Sequence, residues 1–579
     1  MKTWKYFQLS DYKYISFIEF EEMVAHVARA LVDLGFTTDH IFNIYAQTSM
    51  HWQLMAHACS SISTTIATAY DTLGEAGLTH SLNEPECIGI FTNADLIKTV
   101  LNVLPNTPTV KFVFFDGEPP AVLVSALNNV RSDIHVISVS TLLERGRNLP
   151  PVHLSLESRR PTKDTLACIM YTSGSTGAPK GVCITHGNLI ASVGSVVHVF
   201  GHHLPVRGRY LAYLPLAHVL EYIVELCALY TGVTSGYARP KTLMDASVRG
   251  CQGDLAALRP NFMFGVPAVW ETIRKGILGK VAEGGWARQK VFEAALALKK
   301  AGVPVLSGVV DSLVLCKIRE AIGGRLMFTM NGGAAISYGM TESCGMCTLL
   351  PPELPVAGPV GLPVPSIEIK LLHVPSAGYS SKDVPPRGEI CIRGPSVTKG
   401  YYKRPDLNDD ENIFTKDGWF RTGDVGQWNE DGTLSVIDRI KNLVKLQSGE
   451  YVALERLESV YKSCHLVANL CIHASPAAAQ PMAIIVPHEA NLRAAIDADS
   501  RVLPFADLCA NPAMRKTILK ECNDVGRRTG FRPFELLAAV VLTPEEWTPE
   551  NGLVTPAMKL QRAKIGKVFE QEIKKVYMV

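Results

Sequence analysis

Residues 171–181 are the part of the chain whose residue types are best suited to holding phosphate. Their sequence is Tyr-Thr-Ser-Gly-Ser-Thr-Gly-Ala-Pro-Lys-Gly. Glycines let backbone N–H groups turn towards an anion, hydroxyl groups add donors, and a lysine adds a mobile positive charge. The segment therefore predicts a loop that binds a nucleotide triphosphate, with the candidate ligands Thr172, Ser173, Gly174, Ser175, Thr176, Gly177 and Lys180.

The spacing of this loop differs from that of a Walker phosphate loop. A Walker loop ends in Gly-Lys followed by serine or threonine, whereas Pro179 precedes Lys180 and Gly181 follows it. Kinase or GTPase chemistry is therefore disfavoured. A serine- and glycine-rich linker is also disfavoured, because residues 166–171 form an apolar run typical of a buried strand and Thr185 begins a stretch typical of a helix.

The composition is that of a large enzyme rather than a nucleic-acid-binding protein. The chain has 579 residues, 47% hydrophobic and 19% charged, with a net charge of +2. This size predicts at least two domains, and the charge predicts no nucleic-acid partner. The 14 cysteines lack a repeated spacing and no secretory signal opens the sequence, so we expect reduced thiols in the cytoplasm. Cys344 and Cys347 form a lone CxxC, which predicts no metal site.

The elements that position the loop alternate between apolar strands and amphipathic helices, which predicts an α/β fold with parallel βα layers. Ser16 and Glu19 form a capping box that opens a helix, and Gly35 follows its end. The apolar face of this helix carries Phe20, Val24, Val27 and Leu31. Predicted strands are residues 41–45, 166–171, 211–214, 262–266 and 433–437, the last after a turn at 429–432.

The loop resembles the phosphate-binding signature of the AMP-forming adenylating enzymes, a superfamily that includes acyl-CoA synthetases, luciferases and peptide-synthetase adenylation domains. Further short motifs follow in that family's order, and this shared order leaves little room for coincidence. The motifs are Gly332-Gly-Ala334, Tyr338-Gly-Met-Thr-Glu342, Trp419-Phe-Arg-Thr-Gly-Asp424, Asp438-Arg439, and Asn551-Gly-Leu-Val-Thr-Pro followed by Lys559.

The resemblance implies a role for each motif. The residues that line or stack on adenine are Gly332, Gly333, Ala334 and Tyr338, and those that contact the ribose are Asp424 and Arg439. The catalytic residues are Lys180, Thr341, Glu342 and Lys559, with Glu342 as the ligand of Mg²⁺. Carboxylates suit ribose hydroxyls and Mg²⁺, and a guanidinium group suits ribose or phosphate oxygens. Taken singly, Asp424 could be a turn residue and Glu342 a solvated surface charge.

The resemblance also implies the domain organisation. A large N-terminal adenylating domain covers residues 1–437, and a small mobile C-terminal α/β domain covers residues 438–579. Asp438 is the hinge between them. The small domain rotates over the large one between two reaction steps.

Four further segments resemble long-chain fatty acyl-CoA synthetases, most closely the fungal members. They are residues 67–75, 214–221, 265–271 and 445–452. The likeness extends from about Tyr6 to Lys564. It places Trp270 at a gate of the fatty-acid tunnel and His218 near the acyl and phosphate sites. The alternatives are an ordinary core tryptophan and a structural histidine.

The function that this resemblance implies is ATP-dependent activation of long-chain fatty acids to acyl-CoA through acyl-AMP, with Mg²⁺, ATP and coenzyme A. Two alternatives are a non-catalytic relative that binds fatty acid or acyl-CoA, and an adenylating enzyme for another carboxylic acid. The family implies a cytoplasmic enzyme, with peripheral contact to endoplasmic reticulum or lipid droplets as an option by analogy.

The sequence departs from the family between two motifs. Only Ala335, Ile336 and Ser337 separate the adenine-lining turn from Tyr338. In the family a helix and a strand intervene, and a crossover between parallel strands needs at least about 10 to 12 residues. Either Tyr338 and Glu342 are displaced from the site, or the sequence lacks a segment of the real protein. We favour a missing segment, and we expect the N-terminus to be shortened as well.

Overall fold

The structure is a computed structural model that describes residues 6–150, 159–172, 179–245, 248–266, 269–270, 273–274, 277–279, 281, 284–300, 315–331, 337–354, 356, 358–495, 503–555 and 558–577. The strands are β1 (Ile41–Tyr45), β2 (Thr65–Ala69), β3 (Gly89–Asn93), β4 (Phe112–Asp116), β5 (His135–Ser138), β6 (Leu166–Thr172), β7 (Lys180–Thr185), β8 (Arg209–Ala212), β9 (Thr234–Tyr237), β10 (Phe262–Gly265), β11 (Phe328–Asn331), β12 (Ser337–Met340), β13 (Gly345–Leu349), β14 (Leu362–Pro363), β15 (Glu368–Leu372), β16 (Arg387–Arg393), β17 (Phe420–Trp428), β18 (Leu434–Arg439), β19 (Leu443–Lys445), β20 (Tyr451–Ala453), β21 (Val467–His473), β22 (Met482–Pro487) and β23 (Ala539–Leu542).

The helices are α1 (Phe17–Asp33), α2 (Met50–Ser61), α3 (Glu75–Asn83), α4 (Ile97–Val103), α5 (Ala121–Asn128), α6 (Val139–Asn148), α7 (His186–Phe200), α8 (Val219–Tyr230), α9 (Asp254–Leu258), α10 (Gly285–Lys300), α11 (Cys316–Ala321), α12 (Pro405–Asn408), α13 (Leu454–Tyr461), α14 (Glu489–Ala494), α15 (Phe505–Ala510), α16 (Pro512–Arg528), α17 (Arg562–Val568) and α18 (Glu570–Tyr577). In the described part of the chain, none of them is both long enough and apolar enough to cross a bilayer.

The first sheet has seven strands in the order β5-β4-β3-β1-β2-β6-β7. Strands β1 to β6 run parallel, and β7 closes the edge antiparallel to β6. The predicted strand at residues 41–45 is confirmed, and all five of its residues are buried. The predicted capping box is also confirmed, since Ser16 accepts from the Glu19 backbone and Glu19 accepts from Ser16. These βα units are the predicted parallel layers.

The second sheet, β11-β10-β8-β9, is parallel throughout. Strand β10 begins at the predicted residue and ends one residue early. Strand β8 spans residues 209–212 rather than the predicted 211–214. Tyr213 and Leu214 continue the apolar run, but they are buried beyond the end of the strand and do not pair in it. An apolar run records burial and does not by itself fix where pairing stops.

The later strands pair mainly antiparallel, which the parallel prediction did not anticipate. Strands β12 to β14 form one sheet and β15 to β18 another. The predicted turn at residues 429–432 is present, with Gly432 at φ 80°. The strand after it begins at Leu434 and ends at Arg439, so it extends past the predicted end at Ile437. This extension carries Asp438 and Arg439 within the sheet.

The hydrophobic core is divided along the chain. The largest group of packed buried residues extends from Val27 to Leu434. Two further groups lie entirely beyond it, one from Leu446 to Leu542 and one from Cys471 to Ile573. The last two groups pack around β21, β22 and β23, which form a small three-stranded sheet. The fold is therefore a large α/β part followed by a smaller α/β part.

Candidate active site

The ends of β6 and β7 hold the described part of the predicted phosphate loop. The two strands pair with Thr172 opposite Lys180. The hydroxyl of Thr172 donates to the carbonyl oxygen of Lys180 at 3.4 Å. The hairpin thus brings both ends of the loop to the carboxyl end of a strand in the parallel sheet. The loop residues outside the described part of the chain are Ser173, Gly174, Ser175, Thr176 and Gly177.

Tyr401 connects the predicted phosphate-binding lysine with the predicted magnesium ligand. The Nζ atom of Lys180 lies 5.2 Å from the centre of the Tyr401 ring, within range of a cation–π contact. The Tyr401 hydroxyl donates to Oε1 of Glu342 at 2.8 Å. Burial and the Glu342 charge raise the pKa of Tyr401, so this hydroxyl keeps its proton. The backbone N–H of Thr398 also donates to the carbonyl oxygen of Glu342, at 2.7 Å.

Asp424 lies between Tyr338 and Arg439. The Tyr338 hydroxyl donates to Oδ2 of Asp424 at 2.7 Å, and Nε of Arg439 is 3.1 Å from Oδ1. The pairing of β17 with β18 sets Asp424 opposite Arg439. Burial raises the pKa of Asp424, whereas Arg439 and the Tyr338 hydroxyl lower it. A ribose that binds Asp424 must share its oxygens with these two partners.

The close pairing of β12 with β13 positions Tyr338 and Glu342. Gly339 allows this approach, because a Cβ atom there would lie 2.1 Å from the carbonyl oxygen of Gly345. A short 3-10 turn, Thr341–Ser343, follows, and Ser343 Oγ accepts from the backbone N–H of Met340 at 3.1 Å. Thr341 begins this turn, next to Glu342.

The short link before Tyr338 does not carry these residues away from the site. Tyr338 contacts Asp424, and Glu342 contacts Tyr401 beneath Lys180. They reach that place on an antiparallel pair of strands rather than on the parallel strand that the family resemblance implied. The motif Gly332, Gly333, Ala334 and the linking residues Ala335 and Ile336 lie outside the described part of the chain.

Lys559 approaches the same group of charges from the C-terminal part. A tight turn holds its backbone, since Thr555 N–H donates to the Lys559 carbonyl at 2.7 Å and Lys559 N–H donates to Thr555 Oγ1 at 3.1 Å. The residue as a whole is exposed to solvent, but nearby protein partly desolvates its ammonium group. This partial burial lowers the pKa of Lys559, Arg439 lowers it further, and the charges of Glu342 and Asp424 act in the opposite direction.

Asp438 joins the two parts of the chain through a helix cap. It is buried, and its Oδ2 atom accepts from the backbone N–H of Glu455 at 3.1 Å, in the first turn of α13. Its Oδ1 atom accepts from the N–H of Arg439 at 2.6 Å. Burial raises the pKa of Asp438 to about 6. The predicted hinge residue is therefore buried, and it links β18, which pairs with β17, to α13.

His218 precedes α8 and is a neutral imidazole. Its Nδ1 atom accepts from the backbone N–H of Leu220 at 3.1 Å, so the ring proton is assigned to Nε2. Burial, followed by the charge of Lys559, lowers the pKa of His218 to about 4. His218 is thus close enough to Lys559 to sense its charge, and it can donate a hydrogen bond at neutral pH.

An apolar cavity of about 30 Å³ lies between α7, α8 and the second sheet. Its walls include Phe200, Val224, Phe262 and Phe264. Trp270 is not part of this lining. Its ring fills the space that a Cβ atom of Gly265 would occupy, 2.5 Å from that position. Side chains alternate along a strand, so Gly265 faces away from Phe262 and Phe264. The gate at Trp270 stays a prediction.

Sequence analysis missed two parts of this site. Strand β7 was overlooked, although Lys-Gly-Val-Cys-Ile-Thr at residues 180–185 is rich in β-branched residues and directly follows the loop. Tyr401 was overlooked because it belongs to none of the recognised motifs. The sequence offered one sign, the glycine before it. In the structure Gly400 has φ 155° and leaves no room for a side chain beside Asn408.

The described part of the chain brings basic side chains and carboxylate side chains together, and the two kinds suit different parts of a nucleotide. Lys180, Arg439 and Lys559 supply positive charge that suits phosphate, whereas Glu342 and Asp424 supply oxygens that suit a divalent cation and ribose hydroxyls. Among them, Lys180 lies beside the carboxyl end of the parallel strand β6, and α/β sheets bind nucleotides at such ends. This arrangement defines a nucleotide-binding α/β enzyme.

The comparison with known families narrows this class. The chain matches the AMP-binding enzyme family over residues 3–402 and belongs to that family. It is 40% identical to long-chain-fatty-acid–CoA ligase 2 of Schizosaccharomyces pombe, over 100% of this chain and 87% of that protein. It is 36% identical to a palmitoyl-CoA ligase of Gibberella moniliformis, over 99% of this chain and 87% of that protein.

The alignment with the Schizosaccharomyces pombe ligase is longer than the chain. It extends over 607 positions, 28 more than the 579 residues present here. The relative therefore has residues with no counterpart in this sequence inside the aligned region.

Solved structures confirm the predicted fold class. The adenylation domain of a carboxylate reductase from Mycobacterium chelonae superposes with a TM-score of 0.79 at 22% identity, over 98% of this chain and 85% of that chain. The o-succinylbenzoate CoA synthetase of Bacillus subtilis superposes with a TM-score of 0.64 at 19% identity, over 96% of this chain and 93% of that chain.

Proposed function

We propose that the protein converts long-chain fatty acids to acyl-CoA. A fatty carboxylate first attacks the α-phosphate of ATP, which forms acyl-AMP and releases pyrophosphate. The thiol of coenzyme A then attacks the acyl carbonyl and releases AMP. The observation that carries the proposal is the convergence of Lys180, Glu342, Asp424, Arg439 and Lys559 in a chain 40% identical to a long-chain-fatty-acid–CoA ligase.

In the first step the protein's task is to hold ATP and to offset negative charge. Charge builds on phosphate oxygens as pyrophosphate leaves, and preorganised cations stabilise it. Lys180 and Lys559 supply these cations from opposite parts of the chain. Asp424 and Arg439 orient the nucleotide through the ribose. The carboxylate becomes reactive towards a thiol because AMP is a better leaving group than oxide.

The site also suits Mg²⁺, which prefers oxygen ligands. Glu342 is a carboxylate that contacts Tyr401 beneath Lys180, so it would hold the ion beside the phosphates. When bound, Mg²⁺ supplies further positive charge to the phosphate oxygens. The Tyr401 hydroxyl orients the Glu342 carboxylate for that role.

For the second step we propose that residues 438–579 rotate as a domain on the hinge at Asp438, which moves Lys559 away and admits coenzyme A. The division of the core supports this boundary, because the large buried group ends at Leu434 and the next begins at Leu446. The position of Asp438 supports the hinge, because it pairs with Val425 in the sheet of the large part and accepts a hydrogen bond from Glu455 in α13 of the small part.

We propose that the acyl chain runs along the second sheet towards the apolar cavity. The cavity is too small for a long chain as it stands, so its walls must part when the chain enters. Its lining of phenylalanine and valine side chains supports an apolar occupant. Burial contributes about 0.8 kcal/mol per methylene group, so the depth that opens decides the chain length preferred. His218 precedes α8, which supplies part of the cavity wall, and it is close enough to Lys559 to sense its charge.

Release of pyrophosphate from ATP, driven by palmitate, tests the proposal. The purified protein should release pyrophosphate with palmitate and form palmitoyl-CoA when coenzyme A is added. Lys559→Ala should lose the first reaction, whereas Lys567→Ala, an exposed lysine in α17, should keep both. If an aryl acid or an amino acid drove pyrophosphate release and palmitate did not, the substrate would be that class of acid and not a long-chain fatty acid. No release with any acid would refute the proposal.

The gap in the alignment favours a second candidate, a relative that binds without activating. The 28 further positions in the Schizosaccharomyces pombe alignment exceed the length of a helix-containing crossover. If these positions adjoin Ser337, the adenine pocket lacks a wall. Binding of palmitoyl-CoA by calorimetry without pyrophosphate release would support this candidate. Restoring the relative's segment and regaining release would show that the gap is the cause.

A further inference from the structure

Two histidines and a glutamate form a cluster outside the nucleotide site. His202 and His203 belong to the short 3-10 turn Gly201–His203, which follows α7 directly. Glu353 lies in the segment after β13, 150 residues further along the chain. The fold therefore joins two distant segments through side chains that are common metal ligands.

The ligand atoms of this cluster are spaced as a metal site requires. Nε2 of His203 lies 2.8 Å from Oε1 of Glu353, and Nε2 of His202 lies 3.4 Å from the same oxygen. One ligand atom from each of the three residues lies within 4.8 Å of the other two. In a tetrahedral zinc site with bonds of about 2.0–2.1 Å, neighbouring ligand atoms are about 3.3 Å apart. Small side-chain adjustments would meet that value.

The hydrogen bonding of His203 leaves its Nε2 atom available. This atom is buried, and among the described residues it has no hydrogen-bond partner. The 2.8 Å contact with Glu353 has the distance of a hydrogen bond but not its direction. The His203 ring packs near Phe200, with ring centroids 6.4 Å apart, and near His202 at 4.0 Å. Its orientation is thus set by neighbours rather than by a hydrogen bond at Nε2.

Charge and exposure also fit a cation that enters from solution. Glu353 brings a carboxylate to the nitrogen atoms of the two imidazole rings. The side chains of His202 and Glu353 are 62% and 57% exposed, and that of His203 is 25% exposed. Three ligands on an open surface leave a fourth position for water.

We propose that His202, His203 and Glu353 bind a divalent transition-metal ion of the zinc type. Two imidazole nitrogens and one carboxylate favour Zn²⁺ over Mg²⁺, which prefers oxygen ligands. The site would be separate from Glu342, which offers only oxygen. Bound metal would fasten the turn after α7 to the segment after β13.

This fastening bears on the apolar cavity. Phe200 and Gly201, directly before the two histidines, and Leu204, directly after them, line that cavity. A metal held by the histidines and Glu353 would therefore restrain one of its walls. The proposal does not depend on the proposed reaction, because metal binding is measured without substrate.

Zinc titration of the full-length protein tests the site. Metal-free protein is titrated with Zn²⁺ in the presence of excess Mg²⁺, by calorimetry and by competition with a chromogenic chelator. Wild type should bind one more equivalent of Zn²⁺ than His203→Ala does. In Glu353→Gln the affinity for that additional Zn²⁺ should be at least tenfold weaker. His198→Ala removes an exposed histidine from α7 and should bind as wild type does.

The same variants separate metal binding from folding. The melting temperature of wild type should rise when Zn²⁺ is added, because a ligand that binds only the folded state stabilises it. That rise should be absent in His203→Ala and in Glu353→Gln, and present in His198→Ala. Zinc binding and a zinc-dependent rise that are equal in all four proteins would overturn the proposal, as would a wild type that gains no stability from Zn²⁺.

Discussion

The candidate nucleotide site and the apolar cavity proposed for the acyl chain differ in construction. The nucleotide site is a set of directional contacts, in which Tyr338 and Arg439 hold Asp424 and Tyr401 holds Glu342. The acyl cavity has apolar walls and is too small for its proposed ligand. The contacts of the first region are already in place in this structure, whereas the proposed acyl chain would have to open the second. This difference predicts that replacing a polar residue of the first region changes reaction rates steeply. Replacing an apolar residue of the second region should change the preferred chain length gradually.

The largest expected effect is at Lys559. Lys559→Ala should reduce acyl-AMP formation by about 10² to 10³, since loss of one preorganised charge contact has that effect. Formation of palmitoyl-CoA from supplied acyl-AMP should be spared, because Lys559 acts only in the first step. Single-turnover assays of each step measure the two effects. An equal loss in both steps would contradict the assignment of Lys559.

A smaller effect is expected for the ribose contact. Asp424→Asn should raise the KM for ATP by about 10- to 100-fold, because a hydrogen bond to a charged group contributes about 1.5–3 kcal/mol. The KM for palmitate should not change. Asp431→Asn, in the turn between β17 and β18, is the matched control and should resemble wild type. If ATP and palmitate were affected alike, the substitution would have disturbed the fold and not the ribose contact.

The acyl cavity should respond more gradually. Val224→Phe fills part of the cavity, so the longest acids should lose the burial of their last methylene groups. Each lost group should lower kcat/KM by about fourfold, from about 0.8 kcal/mol per methylene. Activity is measured across a series of saturated acids from about eight to eighteen carbons. Neighbouring acids in the series differ by two methylene groups, so each can show the loss of about two such steps. A uniform loss at every length, or none, would place the acyl chain elsewhere.

The last expected effect is on stability rather than on rate, and it depends on pH. The folded pKa of His218 is about 4, below the unfolded value of about 6.5, so folding favours the neutral ring. Its contribution to stability is complete above pH 6.5 and is lost as the pH falls towards 4. At pH 5 the free energy of unfolding should be lower by about 1–2 kcal/mol.

Denaturant unfolding between pH 7.5 and 5 measures this loss, with His218→Asn as the control. Asparagine can still cap α8 but does not titrate. The variant should therefore depend less on pH than wild type over this range. Parallel pH profiles for the two proteins would show that His218 is not buried as a neutral ring.

The contrast between the two regions also explains what could be predicted from sequence. The capping box depends on residue types at fixed local spacing, so Ser16 and Glu19 were located correctly, and the strand before the phosphate loop was found from its apolar run. Tyr401 was missed because its role arises from a contact with Glu342, 59 residues away. Such contacts come from chain topology, and no local pattern records them.

Strand ends and strand direction were the least predictable features. The apolar run at residues 211–214 indicated burial correctly, but pairing stopped at Ala212. The short link before Tyr338 suggested that the motif could not reach the site. The structure reaches it on the antiparallel pair of β12 with β13, which Gly339 makes possible. The roles proposed for the site residues stay predictions until the variants are measured.

The contact between Asp438 and Glu455 is one of the contacts that the proposed domain rotation could change, beside that of the Tyr451 hydroxyl with the Ser376 carbonyl. A single aspartate cap is worth about 1 kcal/mol, which corresponds to a population ratio of about five. Thermal motion alone can cross such a difference, so this one contact would not prevent the proposed rotation. Substrate and product would then choose between orientations by preferential binding, and acidification towards pH 6 would shift the choice by protonating this one carboxylate.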